Sequence, residues 1–184
     1  MMRDKKGLSQ VVTTLIVLVV AVLLAVVVTY FVTNVTMVRT QKEELRLIEA
    51  HVWVNSTGAV AAFKLQNIGS RDVLLDKFTV RNIEEDWGKV YYYRVPSGSS
   101  VFGDMNLTSY DSLTGNNVTI DGRTYVQCSD DFPLKSGAEL LFFIKGPDNI
   151  QIDDIGGVVN ITVFTENTNY STETRIKSAT LQWG

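Results

Sequence analysis

A long run without charged side chains constrains this chain more than any other feature. Positions 7 to 38 hold 32 consecutive uncharged residues, and residues 11–32 are almost wholly apolar. About 20 apolar residues at 1.5 Å each cross the hydrocarbon core of a bilayer, so the run predicts a membrane-spanning α-helix. Its many valines disfavour a helix in water, but lipid requires every backbone group to be bonded internally. The alternative, a buried core helix, would need a much larger surrounding domain.

The flanking charges predict the orientation of this helix. Arg3, Lys5 and Lys6 precede the run, whereas residues 39–44 carry both signs. The positive-inside rule therefore places the N-terminus in the cytoplasm and residues 39–184 outside.

Composition excludes several functional classes. The single Cys128 excludes an internal disulfide framework or a multi-cysteine metal cluster, and the single His51 disfavours a zinc site or a His-dependent triad. A net charge of −3 disfavours nucleic-acid binding. We therefore expect no enzyme, no metal and no cofactor, and we interpret Cys128 as a small buried apolar residue.

The N-terminus carries a more specific signal. Two lysines, a glycine and Leu-Ser stand directly before the apolar run, in the order Lys5, Lys6, Gly7, Leu8. This arrangement resembles the class III signal of archaeal type IV pilins and archaellins, which a membrane-embedded prepilin peptidase cuts after the glycine. The resemblance implies a leader of residues 1–7, with Lys5 and Lys6 as the recognition pair and Leu8 as the mature N-terminus.

One position departs from that family pattern. Many archaellins carry an acid at the fifth mature residue, which here is Val12. Many archaeal adhesive pilins lack this acid, so the departure favours an adhesive pilus over a swimming filament. The alternative is a plain signal-anchor in which Lys-Lys-Gly occurs by accident and the leader is retained.

The pattern predicts an α+β chain. No glycine or proline occurs from residue 8 to residue 57, and residues 40–50 hold good helix formers, which predicts one hydrophobic helix over residues 8–50. From His51 onward, eight segments rich in Val, Ile, Thr, Tyr and Phe predict an all-β, immunoglobulin-like sandwich over residues 51–184. Asp121-Gly122 predicts a two-residue hairpin. Residues 63–80 also resemble the first strand pair of archaeal pilin and archaellin heads.

Two other segments allow alternative interpretations. Residues 96–116 are polar and rich in turn residues, which predicts a surface loop that is either a variable binding face or a mere connector. Tyr91, Tyr92 and Tyr93 could stack on sugars with Trp87, but core packing is the favoured interpretation, with Tyr91 and Tyr93 on one strand face.

Acidic clusters at 84–86, 129–131 and 148–154 fit solvated turns better than a calcium site.

Six N-x-S/T sequons are present, where about two would arise by chance from this composition. We expect N-glycosylation at several of them in an exported protein. The candidates are Asn55, Asn106, Asn117, Asn160 and Asn169, with Asn34 the weakest because it lies near the membrane or in a packed helix bundle.

These features together predict a filament subunit. Precursor chains would insert into the cytoplasmic membrane, lose the leader, and be lifted by a secretion ATPase and its membrane platform into a helical homo-oligomer at the cell surface. Helices would form the filament core through residues such as Leu15, Leu18, Val22, Leu23 and Val26. The alternatives are an uncleaved single-pass surface protein or pilus accessory that binds a partner, and a membrane-anchored hydrolase.

Overall fold

The computed structural model describes residues 3–40 and 42–179. It separates into an N-terminal helical unit and a compact β-rich unit that begins at Glu43, which we call the head.

The helical unit is one continuous helix, α1, from Arg3 to Thr40. Its side chains are described from Gly7 to Thr36. The stretch Gly7–Thr36 is 30 residues long and apolar enough to cross a membrane. The prediction of a long apolar N-terminal helix is therefore confirmed.

The predicted extension of that helix to residue 50 is wrong. Strand β1 runs from Leu45 to Val54, so residues 45–50, expected as helix, are extended. They pair with strand β2, with Leu45 opposite Asn67 and Leu47 opposite Leu65. Leu45 is buried in the core and Leu47 packs against it, which is the period of a strand. Pairing and burial thus outweigh the helix propensity of the Lys-Glu-Glu-Leu-Arg stretch.

The described residues of the head, 43–179, form eleven strands. They are β1 Leu45–Val54, β2 Ala59–Asn67, β3 Val73–Val80, β4 Ile83–Glu84, β5 Val90–Arg94, β6 Asn117–Ile120, β7 Arg123–Gln127, β8 Phe132–Leu134, β9 Glu139–Lys145, β10 Val158–Thr165 and β11 Asn169–Ser178. The two shortest, β4 and β8, were not predicted from the sequence.

The strands form a curled sheet whose two halves face each other across a core. One half has the order β6-β7-β5-β9-β2-β1, and the other has the order β11-β10-β3-β4 with β8 beside β3. The halves join where β1 and β11 run parallel, with Val52 opposite Ile176. All other pairs are antiparallel. The predicted α+β class, with an apolar helix followed by a β-sandwich head, is confirmed.

The central strands are buried on both faces. On β9, Leu140, Phe142 and Ile144 enter the inner core between the halves, whereas Leu141 and Phe143 enter a second cluster on the outside of the first half. The 96–116 segment covers that outer face and contributes Met105 and Leu113 to it. This segment is therefore a packed cover of the sheet, which its polar composition did not reveal.

Local turn and strand predictions are confirmed. Asp121 and Gly122 join β6 to β7 with φ values of 51° and 73°, as a type I′ hairpin turn requires. Tyr91 and Tyr93 lie on the outer-cluster face and Tyr92 on the inner-core face. Tyr92 stacks on Phe132 at 4.8 Å between ring centroids. All three rings pack in the apolar clusters, as the favoured interpretation predicted.

Candidate functional site: the apolar helix and the sequons

The most unusual surface of the chain is that of α1. Its apolar side chains are exposed around the whole circumference, and none of the described residues in the membrane-length window is buried. The five residues predicted to form a filament core are each more than half exposed: Leu15, Leu18, Val22, Leu23 and Val26. A helix that is apolar on every side is stable only where lipid or other helices surround it.

Five threonine hydroxyls of α1 are bonded within the helix. The hydroxyls of Thr13, Thr14, Thr29, Thr33 and Thr36 each donate to the carbonyl four residues earlier at 2.8 Å. These bonds leave the hydroxyls little demand for water or for a partner. These threonines can therefore move from a lipid surrounding to a protein one without leaving a hydroxyl unbonded.

The predicted cleavage position lies inside α1. Gly7 and Leu8 are both helical, and a Cβ placed on Gly7 would meet no atom within 4 Å. The side chains of Lys5 and Lys6 lie outside the described part of the chain. Glycine at this position is thus not required by packing, and its main local effect is to weaken the first turns of the helix.

The six sequons differ in the freedom of their side chains. Asn34, Asn106, Asn117 and Asn169 are exposed, whereas Asn55 and Asn160 are half-buried. The Asn55 Oδ1 accepts bonds from the Thr57 backbone N–H, the Thr57 hydroxyl and the Gly58 N–H, which closes a tight turn. The Asn106 Nδ2 donates to Asp121 at 2.6 Å. The six sequon asparagines therefore differ in their accessibility to solvent, although the sequence alone does not distinguish them.

Two sequons share one face of the sheet. In the β10–β11 pair, Asn160 lies opposite Glu173, Thr162 opposite Ser171, and Phe164 opposite Asn169. The Thr162 hydroxyl donates to the Ser171 hydroxyl at 3.0 Å. The hydroxyl of one sequon is thereby bonded to the hydroxyl of the other.

Two of the three acidic clusters of the head, 84–86 and 148–154, make structural contacts. Asp148 pairs with Lys89 at 3.0 Å, and Asp154 pairs with Arg81 at 2.8 Å. No group of three or more potential metal-ligating His, Cys, Asp or Glu side chains occurs among the described residues. Glu85 is only 4% exposed and accepts the Asp148 backbone N–H at 3.1 Å. Its burial raises the pKa to about 7, so one acid that the sequence suggested as solvated is buried.

The single cysteine, Cys128, and the single histidine, His51, both make packing or hydrogen-bonding contacts within the head. Cys128 lies in the inner core, where burial raises its thiol pKa to about 12 and so suppresses the reactive thiolate. His51 stacks on Trp53 and bonds Asp104, which ties the 96–116 segment to β1. This hydrogen bond lowers the pKa of Asp104.

A polar groove of about 760 Å³ lies where residues 66–69, 94–100 and 135–139 converge. It is lined by Arg94, Lys135 and Glu139 together with small hydroxyl residues. Glu139 is already engaged there, because Lys64 lies 3.3 Å away and Gln66 donates to it at 2.7 Å.

Comparison with protein-family models and with curated proteins finds no match for this chain. Its function must therefore be argued from the geometry of its own residues.

Proposed function

We propose that this chain is a structural subunit of an archaeal type IV pilus-like filament, assembled through α1 after cleavage between Gly7 and Leu8. The observation that carries the proposal is the apolar surface of α1, which faces outward on all sides over Gly7–Thr36. The Lys-Lys-Gly-Leu sequence before that surface adds a place where a prepilin peptidase can act.

The energetics support helix bundling. Burying one Val or Leu side chain stabilises by about 1.5–3 kcal/mol, so the roughly 20 exposed large apolar side chains of α1 give tens of kcal/mol as an upper bound. A bilayer satisfies this surface before assembly, and neighbouring helices satisfy it afterwards. A fibre built in this way holds together without covalent links.

Cleavage requires a local change in α1. A protease binds its substrate extended, whereas Gly7 and Leu8 are helical. Glycine is among the residues that weaken a helix most, which lets the first turns unwind at low cost. Removal of residues 1–7 would then discard the basic residues and retain the apolar helix.

The head supports the role of an exterior domain. Its core closes within the head itself, and the 96–116 segment seals the outer face of the first half-sheet. Such a domain can face solvent on a filament surface. The 96–116 segment and the exposed sequons would then be presented outward, consistent with adhesion and surface glycosylation.

The deciding experiment is intact-mass measurement and N-terminal sequencing of protein recovered from sheared cell-surface material. A chain that begins at Leu8 in the sheared fraction supports a processed filament subunit. A chain that retains residues 1–7 and occurs only in membranes contradicts it.

The second candidate is an uncleaved membrane-anchored domain that binds a partner. The polar groove at residues 66–69, 94–100 and 135–139 is the observation in its favour. Retention of the leader, together with a loss of partner binding on Arg94→Ala or Lys135→Ala, would select this function over the filament.

A further inference from the structure

We propose that the sequon at Asn160 is gated by folding: a glycosyl-transferring enzyme can modify it only before strand β10 has paired with β3 and β11. The sequon at Asn117 stays open in the folded head. The proposal rests on export of the head under the proposed function, but it does not depend on cleavage or on filament assembly.

The first reason is the position of β10 in the sheet. It is flanked by β3 on one side and by β11 on the other, with register contacts along both. An N-x-S/T acceptor has to enter the transferase together with the hydroxyl two residues on. Lifting residues 160–162 out of the folded sheet would break ladder hydrogen bonds on two sides.

The second reason is the engagement of the side chains that the enzyme must read. The Asn160 Nδ2 donates to the Asn82 Oδ1 at 2.9 Å. Thr162 is 7% exposed, and its hydroxyl is bonded to that of Ser171. The Ser171 hydroxyl in turn donates to the Ile161 carbonyl at 3.3 Å. The hydroxyl of the Asn160 sequon is thus buried and held by the pairing of the two strands.

Asn117 provides the contrast within the same head. It lies at the start of β6, a four-residue strand at the end of the sheet order that pairs with β7 alone among the described strands. Both Asn117 and Thr119 are exposed. A short edge strand opens locally at low cost, so this sequon can reach the enzyme after folding.

The chemistry needs a lipid-linked glycosyl phosphate as co-reactant. The Nδ2 atom forms a bond to the anomeric carbon, the bond from that carbon to the phosphate oxygen breaks, and the lipid phosphate leaves with the electron pair. One Nδ2 proton passes to a base of the enzyme. The product keeps one N–H, so the bond from Asn160 to Asn82 can form when the modified chain folds.

The test uses the purified full chain in detergent, a single-subunit oligosaccharyltransferase and a lipid-linked oligosaccharide. The folded chain is compared with its own tryptic digest, in which residues 146–175 and 95–123 become free peptides. Site occupancy is read by fragment mass spectrometry. We expect Asn160 to be modified at least ten-fold less in the folded chain than in the digest, and Asn117 to differ by less than two-fold.

Two variants sharpen this test. Asn82→Ala removes the partner of the Asn160 amide at a turn position (φ 64°) outside strands β3 and β4, and we expect Asn160 to remain closed in the folded chain. Thr162→Ala should abolish modification of Asn160 in the digest as well. Equal modification of Asn160 in folded and digested chain, its absence even in the digest, or its release by Asn82→Ala would each overturn the proposal. None of these results bears on whether the N-terminal leader is cleaved.

Discussion

Helix α1 and the head differ in where they place their apolar side chains. The head turns most of its large apolar side chains inward, and Phe63, Phe78 and Phe142 meet in a core closed by its own strands. Helix α1 turns its apolar side chains outward, and only its backbone groups and threonine hydroxyls are hydrogen-bonded within the helix. The sequence of the head is therefore sufficient to bury its own apolar surface. Helix α1 needs lipid or neighbouring helices to cover its surface.

The same substitution in the two regions tests this contrast most strongly. We expect Leu18→Asp to abolish membrane insertion or assembly, because a carboxylate at the centre of a spanning helix costs about 2.5–3.5 kcal/mol. The matched change Ile155→Asp, at an exposed position of the head, should alter stability by less than about 0.5 kcal/mol. Membrane fractionation and electron microscopy of filaments measure the outcome, and normal filaments from Leu18→Asp would remove α1 as the assembly element.

Truncation of an aromatic residue tests the head alone. Phe142 is fully buried and stacks on Phe63 at 5.1 Å between ring centroids. We expect Phe142→Ala to lower the free energy of unfolding by about 3–5 kcal/mol and to leave membrane insertion unchanged. Phe102→Ala, at a residue that is 91% exposed, is the control and should change it by less than about 0.5 kcal/mol. Urea unfolding followed by tryptophan fluorescence gives both values; comparable losses would show that the core is not where the structure places it.

The pH dependence of the head should depend on Glu85. Its pKa is about 7 in the folded head against 4.5 for the free side chain, because burial disfavours the charge despite the nearby Lys89. A raised carboxyl pKa stabilises the fold below pH 4.5, and that stability is lost as the pH rises through 7. We therefore expect Glu85→Gln to match the parent protein near pH 4.5 and to melt at a higher temperature near pH 8.

The carboxylates with lowered pKa values do not affect stability between pH 4.5 and 7, where Glu85 acts. Asp104 and Asp154, whose pKa values lie below 3.8, contribute stability that is lost only in more acidic solution. Differential scanning fluorimetry at several pH values measures the difference between the parent and Glu85→Gln, and parallel curves for the two proteins would contradict a buried Glu85.

Glycine replacement gives the smallest effect and opposite signs in the two regions. Gly7 is helical with open space around it, so Gly7→Ala should stabilise α1 by about 0.5–1 kcal/mol. Gly122 has φ +73° in the hairpin turn, so Gly122→Ala should destabilise the head by about 1 kcal/mol. Circular dichroism in detergent and urea unfolding measure the two changes, and equal signs would mean that one backbone conformation is misassigned.

The sequence was most informative where a pattern is local. Strand β2, the Asp121-Gly122 turn and the alternation of Tyr91, Tyr92 and Tyr93 were all readable from period and turn chemistry. It was misleading at residues 45–50, because long-range pairing with β2 decided a stretch whose local preference is helical. The alternation of Leu45 and Leu47 was the signal that could have corrected it.

The candidate site was only partly readable. Six sequons are visible in the sequence, but their inequality depends on register, which brings Thr162 opposite Ser171. The burial of Glu85 depends in the same way on a distant loop, since its partner is the Asp148 backbone. The cover formed by residues 96–116 carries few apolar residues, so its packing on the sheet could not be inferred from composition.

The parallel pairing of β1 with β11 has a consequence for biosynthesis. Val52 on β1 cannot pair with Ile176 on β11 until the ribosome has added about 120 further residues, so the two half-sheets cannot join before then. At ribosomal speeds of ~5–20 residues per second, that delay is roughly 6–25 s. During this interval the first strand presents an unpaired edge, so a nascent chain of this kind depends on whatever protects such an edge until synthesis reaches its end.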